Sequence, residues 1–232
     1  MKSLETIERE LRYVLTTEQH ERLVDNLSAY SLNPGYCVHE LTVMYDNPNP
    51  GLTFYSQKVD GRLRLRTCSS EPSKVLKSPD VRELTLLTWK QRLSGATEED
   101  LRAEREVEIS IAGSQTASLI MLLEDVLHCP KISSYERIRE TVYIDGIEVA
   151  VDEFPYGHVV ELEVKDGDLC SLKRVKDAII PAGARVSHLS CDDLYKLMCR
   201  KAGVKIKDNI IFRDDDMPKI DLVLDETCIL TK

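Results

Sequence analysis

A chain of 232 residues, 42% of them hydrophobic, has enough apolar material for one large domain, or one domain with an appendage, and is not a disordered polymer. With 40 Asp and Glu against 31 Lys and Arg, its net charge of −9 excludes a general nucleic-acid or membrane-surface binder, though not a local basic pocket. No window approaches the ~18 apolar residues of a membrane span, the opening MKSLETIERE has the features of neither a signal nor a transit peptide, and the seven scattered cysteines contain no C-x-x-C, so reduced thiols in a soluble cytoplasmic or nuclear protein are the expectation.

The first element is ambiguous by itself. In and around ERELRYVL, Leu4, Ile7, Leu11 and Val14 recur at helical spacing. Read as a strand, the same stretch puts Glu8, Glu10 and Arg12 on one side and Leu11, Tyr13 and Leu15 on the other. Thr17 can then cap a helix to about Ala29, with Leu23, Val24 and Leu27 on one face. Five segments of strand character follow: CVHELTVMYD, LTFYSQKV, GRLRLRT, RELTLLTWKQRL and LRAEREVEISI. Loop-like DNPNPG and SSEPSK fall among them. SQTASLIMLLEDVLH reads as a helix whose LIMLL run belongs to the core. ERIRETVYI, IEVAVDEF and HVVELEVK are three further strands, the first two joined by an Asp145-Gly146 hairpin turn. DLCSLKRVKDAI and CDDLYKLMCRKAG are helices, the second ending at Gly203. Residues 206–232 form a C-terminal extension, and Asp214 to Asp216 within it reads as a solvated acidic loop. About eight antiparallel strands with a few helices outside make an α+β fold, and closure into a barrel is the natural way to remove the sheet edges.

The polar positions of these strands repeat one sign. Glu104, Glu106 and Glu108 alternate along one strand and Glu161 and Glu163 along another, while Arg62, Arg64 and Arg66, Lys90 and Arg92, and Arg137 and Arg139 do the same with positive charge. Like charges at i and i+2 repel, and β propensity does not favour them. For one strand, a solvated face is the simpler account. For five or six together, a barrel with a charged lumen accounts for them better, with apolar side chains facing outward under helices. Paired carboxylates are hard ligands for Mg²⁺ or Mn²⁺, and guanidinium and ammonium groups bind phosphate oxygens. A lumen with both suits a metal–polyphosphate complex and in-line attack by water.

These motifs resemble, in order and spacing, the CYTH superfamily of triphosphate tunnel metalloenzymes, over roughly residues 5 to 203. ERELR is similar to the family's opening E-x-E-x-K strand, with Arg12 in place of Lys; TVMYDNP matches by Tyr45, Asp46 and Pro48, LRLR by Arg64 and Arg66, TWK by Lys90 and REVEI by Glu106 and Glu108. RIRETVYIDGIEVAVDEFPYGHVVELEV carries over Arg137, Arg139, Asp152, Gly157, Glu161 and Glu163. Of Arg102 and Arg105, only Arg102 has the parity of the glutamates. The resemblance implies a tunnel domain over 1–205 and an Mg²⁺- or Mn²⁺-dependent triphosphatase. Glu8, Glu10, Glu161 and Glu163 would be the first metal ligands, and Glu106, Glu108 and Asp152 would hold a second metal or the basic side chains. Arg64, Arg66, Lys90, Arg102, Arg137 and Arg139 would hold the triphosphate, and Glu8, Glu10, Arg12, Glu161 and Glu163 would form the catalytic set. The implied substrates are an RNA 5′-triphosphate, tripolyphosphate, an NTP or thiamine triphosphate. A class IV-type adenylate cyclase and a non-catalytic polyphosphate-binding module are the alternatives.

Overall fold

The computed structural model describes residues 6–30, 35–54, 60–76, 80, 83–93, 101–165, 168–214 and 216–221. Eight long strands, β1 (Thr6–Leu15), β2 (Gly35–Tyr45), β3 (Gly61–Ser70), β4 (Leu84–Arg92), β5 (Arg102–Ile111), β6 (Lys131–Ile144), β7 (Ile147–Phe154) and β8 (Gly157–Val164), pair in the order β6-β2-β3-β4-β5-β1-β8-β7. A β6–β7 pairing closes the circle, and every pair around it is antiparallel. Two short strands lie off this ring: β9 (Arg185–Val186) on β1, and β10 (Asn209–Ile210) parallel to β6.

The opening stretch is therefore a strand. It pairs on both sides, with Glu8 opposite Glu104 and Arg12 opposite Glu161. From Glu10 to Leu15 both its faces are buried. Leu11, Tyr13 and Leu15 pack outward, and Glu8, Glu10 and Arg12 point inward and are almost as enclosed. A lone amphipathic helix would leave one of these faces to water; the barrel has partners for both.

Helices α1 (Thr17–Ser28) and α3 (Leu169–Ile179) cover the outer face of β1, β6, β7 and β8. There Leu23, Leu27, Leu172, Val175 and Ile179 join Leu15, Val142, Val149, Val160 and Leu162 in the largest apolar cluster. The cap of α1 is Thr16, one residue before the expected Thr17. Its hydroxyl accepts from the Gln19 N–H, and the Gln19 side chain accepts from the Thr16 N–H in return. Thr17 instead donates its hydroxyl to Asp221. At Asp145 and Gly146, φ values of 50° and 77° make the expected hairpin turn between β6 and β7.

Two expectations fail locally. LTFYSQKV does not begin as a strand: Leu52 to Phe54 form a turn in which the Asp46 carboxylate accepts from the Thr53 hydroxyl and the Phe54 N–H; residues 55–59 lie outside the described residues. A carboxylate one residue beyond β2 thus captures the donors that a strand would have given to a neighbour. The segment after β5 is a 3₁₀ turn (113–115), a short α2 (Thr116–Met121) and a π turn (122–126), and its LIMLL run is not all core. Leu123 is buried against Tyr45 and Leu65, whereas Met121 and Leu122 are exposed, because a helix lying on the outer face of β2–β4 has only one side to bury.

One mouth of the barrel is covered by α4 (Cys191–Ala202) and the chain after it. Ser190 caps α4, and Gly203, at φ 66°, ends it as expected. Leu194, Tyr195 and Met198 pack with Val14, Phe154, Tyr156 and Val159, and Ile210, Met217 and Ile220 join them from beyond residue 205. Among the described residues, no helix is long and apolar enough to cross a membrane.

Candidate functional site

Alternation along the strands turns every second side chain into the lumen. It leaves a cavity of about 460 Å³ inside the barrel. Glu8, Glu10, Arg12, Arg64, Arg66, Lys90, Arg102, Glu106, Glu108, Arg137, Arg139, Glu161 and Glu163 all line it. Side-chain parity and strand order place most cations and most acids on different walls. β3, β4 and β6 contribute Arg64, Arg66, Lys90, Arg137 and Arg139, while β1, β5 and β8 contribute most of the carboxylates. Arg102 enters the lumen and contacts Glu10 at 3.0 Å and Glu104 at 2.7 Å. Asp152 is the one predicted site residue that does not reach the cavity. It is fully buried behind Arg137 and Arg139 and accepts from both guanidiniums.

Several lining residues were outside the set expected from sequence. Glu40 on β2 accepts from Arg137, with Arg66 at 3.5 Å, and these arginines outweigh its burial and hold its carboxyl well below the usual range. It is the one acid of its strand, so no alternation marked it; only its parity with Thr42 and Met44 could have. Glu104 was visible in the alternating run, but matches no family position. Tyr135, Glu148 and Lys165 also line the tunnel. Burial would raise the Tyr135 phenol, but Arg64, Arg137 and Arg66 hold it below its ordinary value.

The charges are unevenly matched. Around Glu40, Asp152 and Glu161 each carboxylate meets arginines, and Arg12 and Arg139 overcome burial to keep Glu161 well below the normal range. Toward the other mouth, acids crowd one another. Burial, and then Glu8, push Glu163 up to about 8, although Lys165 contacts it at 2.7 Å. Burial raises Glu8 as well, with Glu106 beside it, despite Lys90. Glu10 is raised by burial and by Glu161, against Arg102 and Arg12. On the basic side, Arg64 Nε and Arg137 Nη2 are buried and have no hydrogen-bond partner, and Arg66 Nε has only the Glu40 carboxylate at 3.5 Å; on the acidic side, Arg102 Nε is likewise without one. Buried guanidinium donors without acceptors call for an anion, and crowded carboxylates call for a cation.

The donor set therefore fits a divalent metal in kind: hard oxygens, excess negative charge and neighbouring strands, with Glu10 opposite Glu163. The cage is not assembled in advance, because among the described residues no three Asp, Glu, His or Cys side chains converge as ligands. Each acid leans toward a nearby Lys or Arg instead.

Most of the remaining chemistry-bearing residues lie outside this site, although Cys68 and Cys191 line the cavity. His20 and His158 stack on the outer surface at 3.9 Å, Trp89 packs edge-on to Phe54 on the outer wall as its parity predicts, and the described cysteines are free. Asp214 and Asp216 both pair with Lys207.

No family model matches the sequence, and no curated protein matches it. Solved structures do resemble the fold. A Pyrococcus horikoshii protein superposes with a TM-score of 0.56 at 19% identity, over 81% of this chain and 97% of that one. A Hippeastrum protein, an adenylyl-cyclase candidate with a dominant triphosphatase activity, gives 0.54 at 16% identity, over 86% and 97%. A chain of the Schizosaccharomyces pombe Mediator head module gives 0.56 at 11% identity, over 78% and 98%. At these identities the likeness establishes the architecture alone, a closed antiparallel barrel with helices packed outside.

Proposed function

We propose that this protein is a metal-dependent triphosphatase that releases the terminal phosphate of a triphosphate-bearing substrate inside the tunnel. The observation that carries the reading is one closed lumen in which the guanidinium and ammonium groups of β3, β4 and β6 face β1, β5 and β8, which supply most of the carboxylates. The fold alone does not decide, since a triphosphatase and a chain of a Mediator head module share it. The lining supports the reading: a purely structural barrel gains nothing from burying arginine donors that lack hydrogen-bond partners beside mutually repelling acids, whereas a metal triphosphate would complement both.

In this reading Arg64, Arg66 and Lys90, with Arg102, Arg137 and Arg139, bind and orient the phosphate oxygens. Glu8, Glu10 and Glu163 hold Mg²⁺ or Mn²⁺, with Glu106 and Glu108 as further acids of the same wall. Bound there, the metal supplies Lewis-acid neutralisation of the phosphate charge. Water attacks the terminal phosphorus in line, its proton passing to a wall carboxylate, and the bond to the bridging oxygen breaks to leave a diphosphate group. The leaving group is the diphosphate carried by an RNA end, a nucleoside or thiamine, or pyrophosphate from tripolyphosphate, and selectivity among them belongs to the tunnel mouths.

Incubation with γ- and α-labelled nucleoside triphosphates and with tripolyphosphate, in Mg²⁺ or Mn²⁺, tests the proposal. Orthophosphate is the expected product. Pyrophosphate with a cyclic nucleotide would make the protein a cyclase instead. Absence of turnover with every substrate and both metals would leave a polyphosphate-binding module.

A further inference from the structure

The lumen contains a continuous chain of buried ion pairs that crosses six strands. Arg12 Nη1 donates to the Leu189 carbonyl at 2.6 Å, and its Nε donates to Glu161 Oε1 at 2.7 Å. The other oxygen of Glu161 accepts from Arg139, which also donates twice to Asp152, at 2.7 and 2.6 Å. Asp152 accepts from Arg137 at 3.0 Å, and Arg137 donates in turn to Glu40, beside Arg66. The Leu189 end is anchored by the backbone as well, since the Ser187 N–H donates to the Arg12 carbonyl at 2.9 Å. Leu189 immediately precedes the Ser190 cap of α4, whose first turn faces the tunnel.

Both oxygens of Glu161 are thus committed to guanidiniums. Those of Glu163 are not: one meets Lys165 at the more open mouth. We propose that Arg12 and Glu161 are positioning residues, which tie the α4 closure to the guanidinium row Arg139–Arg137–Arg66 and so fix the phosphate cradle, and that Glu161 is not a metal ligand. The proposal deepens the triphosphatase reading and rests on it for the cradle's ligand. It also explains arginine at position 12. A planar fork reaches Glu161, Glu10 and a carbonyl together, which a single lysine ammonium on a flexible stem does not.

Two bindings test it without turnover: Mn²⁺ alone, followed by electron paramagnetic resonance, and inorganic tripolyphosphate alone, followed by calorimetry. Removing a carboxylate should tighten a polyanion if only charge matters. A positioning role has the opposite sign: Glu161→Gln weakens tripolyphosphate by about tenfold and leaves Mn²⁺ affinity within about twofold, while Glu163→Gln weakens Mn²⁺ by about tenfold or more. Tripolyphosphate affinity unchanged or tighter in Glu161→Gln, or a loss of Mn²⁺ equal to that of Glu163→Gln, overturns the proposal. Arg12→Lys covers the case in which Glu161→Gln does not fold. With charge retained it still loses tripolyphosphate affinity, and a wild-type value refutes the positioning role. Failure of the wild type to hydrolyse any triphosphate would count against the triphosphatase alone, because both bindings remain measurable.

Discussion

Asp152→Asn isolates the cost of breaking the buried charge chain without changing its shape. Asp152 has no exposed surface and accepts from Arg137 at 3.0 Å and from Arg139 at 2.7 and 2.6 Å. The amide retains one oxygen but sets an NH₂ against guanidinium donors, and it leaves two like charges on β6 without their shared anion. Removing one partner of a buried pair costs about 3 to 5 kcal/mol. At roughly 2 to 4 °C per kcal/mol for a chain of this size, the melting temperature should fall by about 6 to 20 °C. Asp145→Asn is the control: its partner Arg174, at 3.0 Å, is 62% exposed, and such a pair contributes about 0 to 1 kcal/mol. Urea unfolding is the assay, because urea adds no screening salt. If Asp152→Asn loses no more stability than Asp145→Asn at equal m-values, the lumen is solvated and its ion pairs do not behave as buried ones.

Two further outcomes are expected. Burial and the stacked His158 ring push His20 down to about 4, and His158 is lowered too, chiefly by burial. Folding thus favours the neutral rings, a contribution fully present above the unfolded value of about 6.5 and lost as pH falls through the window toward 4; stability should drop by about 1 to 3 kcal/mol across it, and His20→Phe, which keeps the stack, should flatten that part of the urea-midpoint profile. Gly61→Ala should destabilise the β3–β4 corner by about 1 to 3 kcal/mol in thermal unfolding, since a Cβ there would lie 2.1 Å from the Trp89 ring; an unchanged midpoint would mean the indole moves aside freely.

Much of the site was legible before the fold was known, because a strand's side-chain period is two and a run of one sign at that period has few ordinary causes. Glu8, Glu10, Arg64, Arg66, Lys90, Arg137, Arg139, Glu161 and Glu163 declare themselves in this way, and all reach one lumen. Glu40 did not, since a single acid on a strand has no period. The exposure of Met121 and Leu122 was hidden for a related reason: an apolar run shows that burial is available without showing which side has a partner.

The sequence by itself determined most of the strands, their inward parity and the two signs of charge, all properties that neighbouring residues impose through local geometry. ERELRYVL by its own periodicity slightly favours a helix, and the alternating charges of the other strands make it a strand; the tertiary structure gives that strand its partners, β5 and β8. It also decided which acids are matched and which are crowded. Asp152 and Glu161 look like Glu163 in sequence, but they meet arginines from β6 and, for Glu161, Arg12 of β1, whereas Glu163 meets Glu8. Charge pairing across a barrel is set by register between strands far apart in the chain, and no local pattern encodes it.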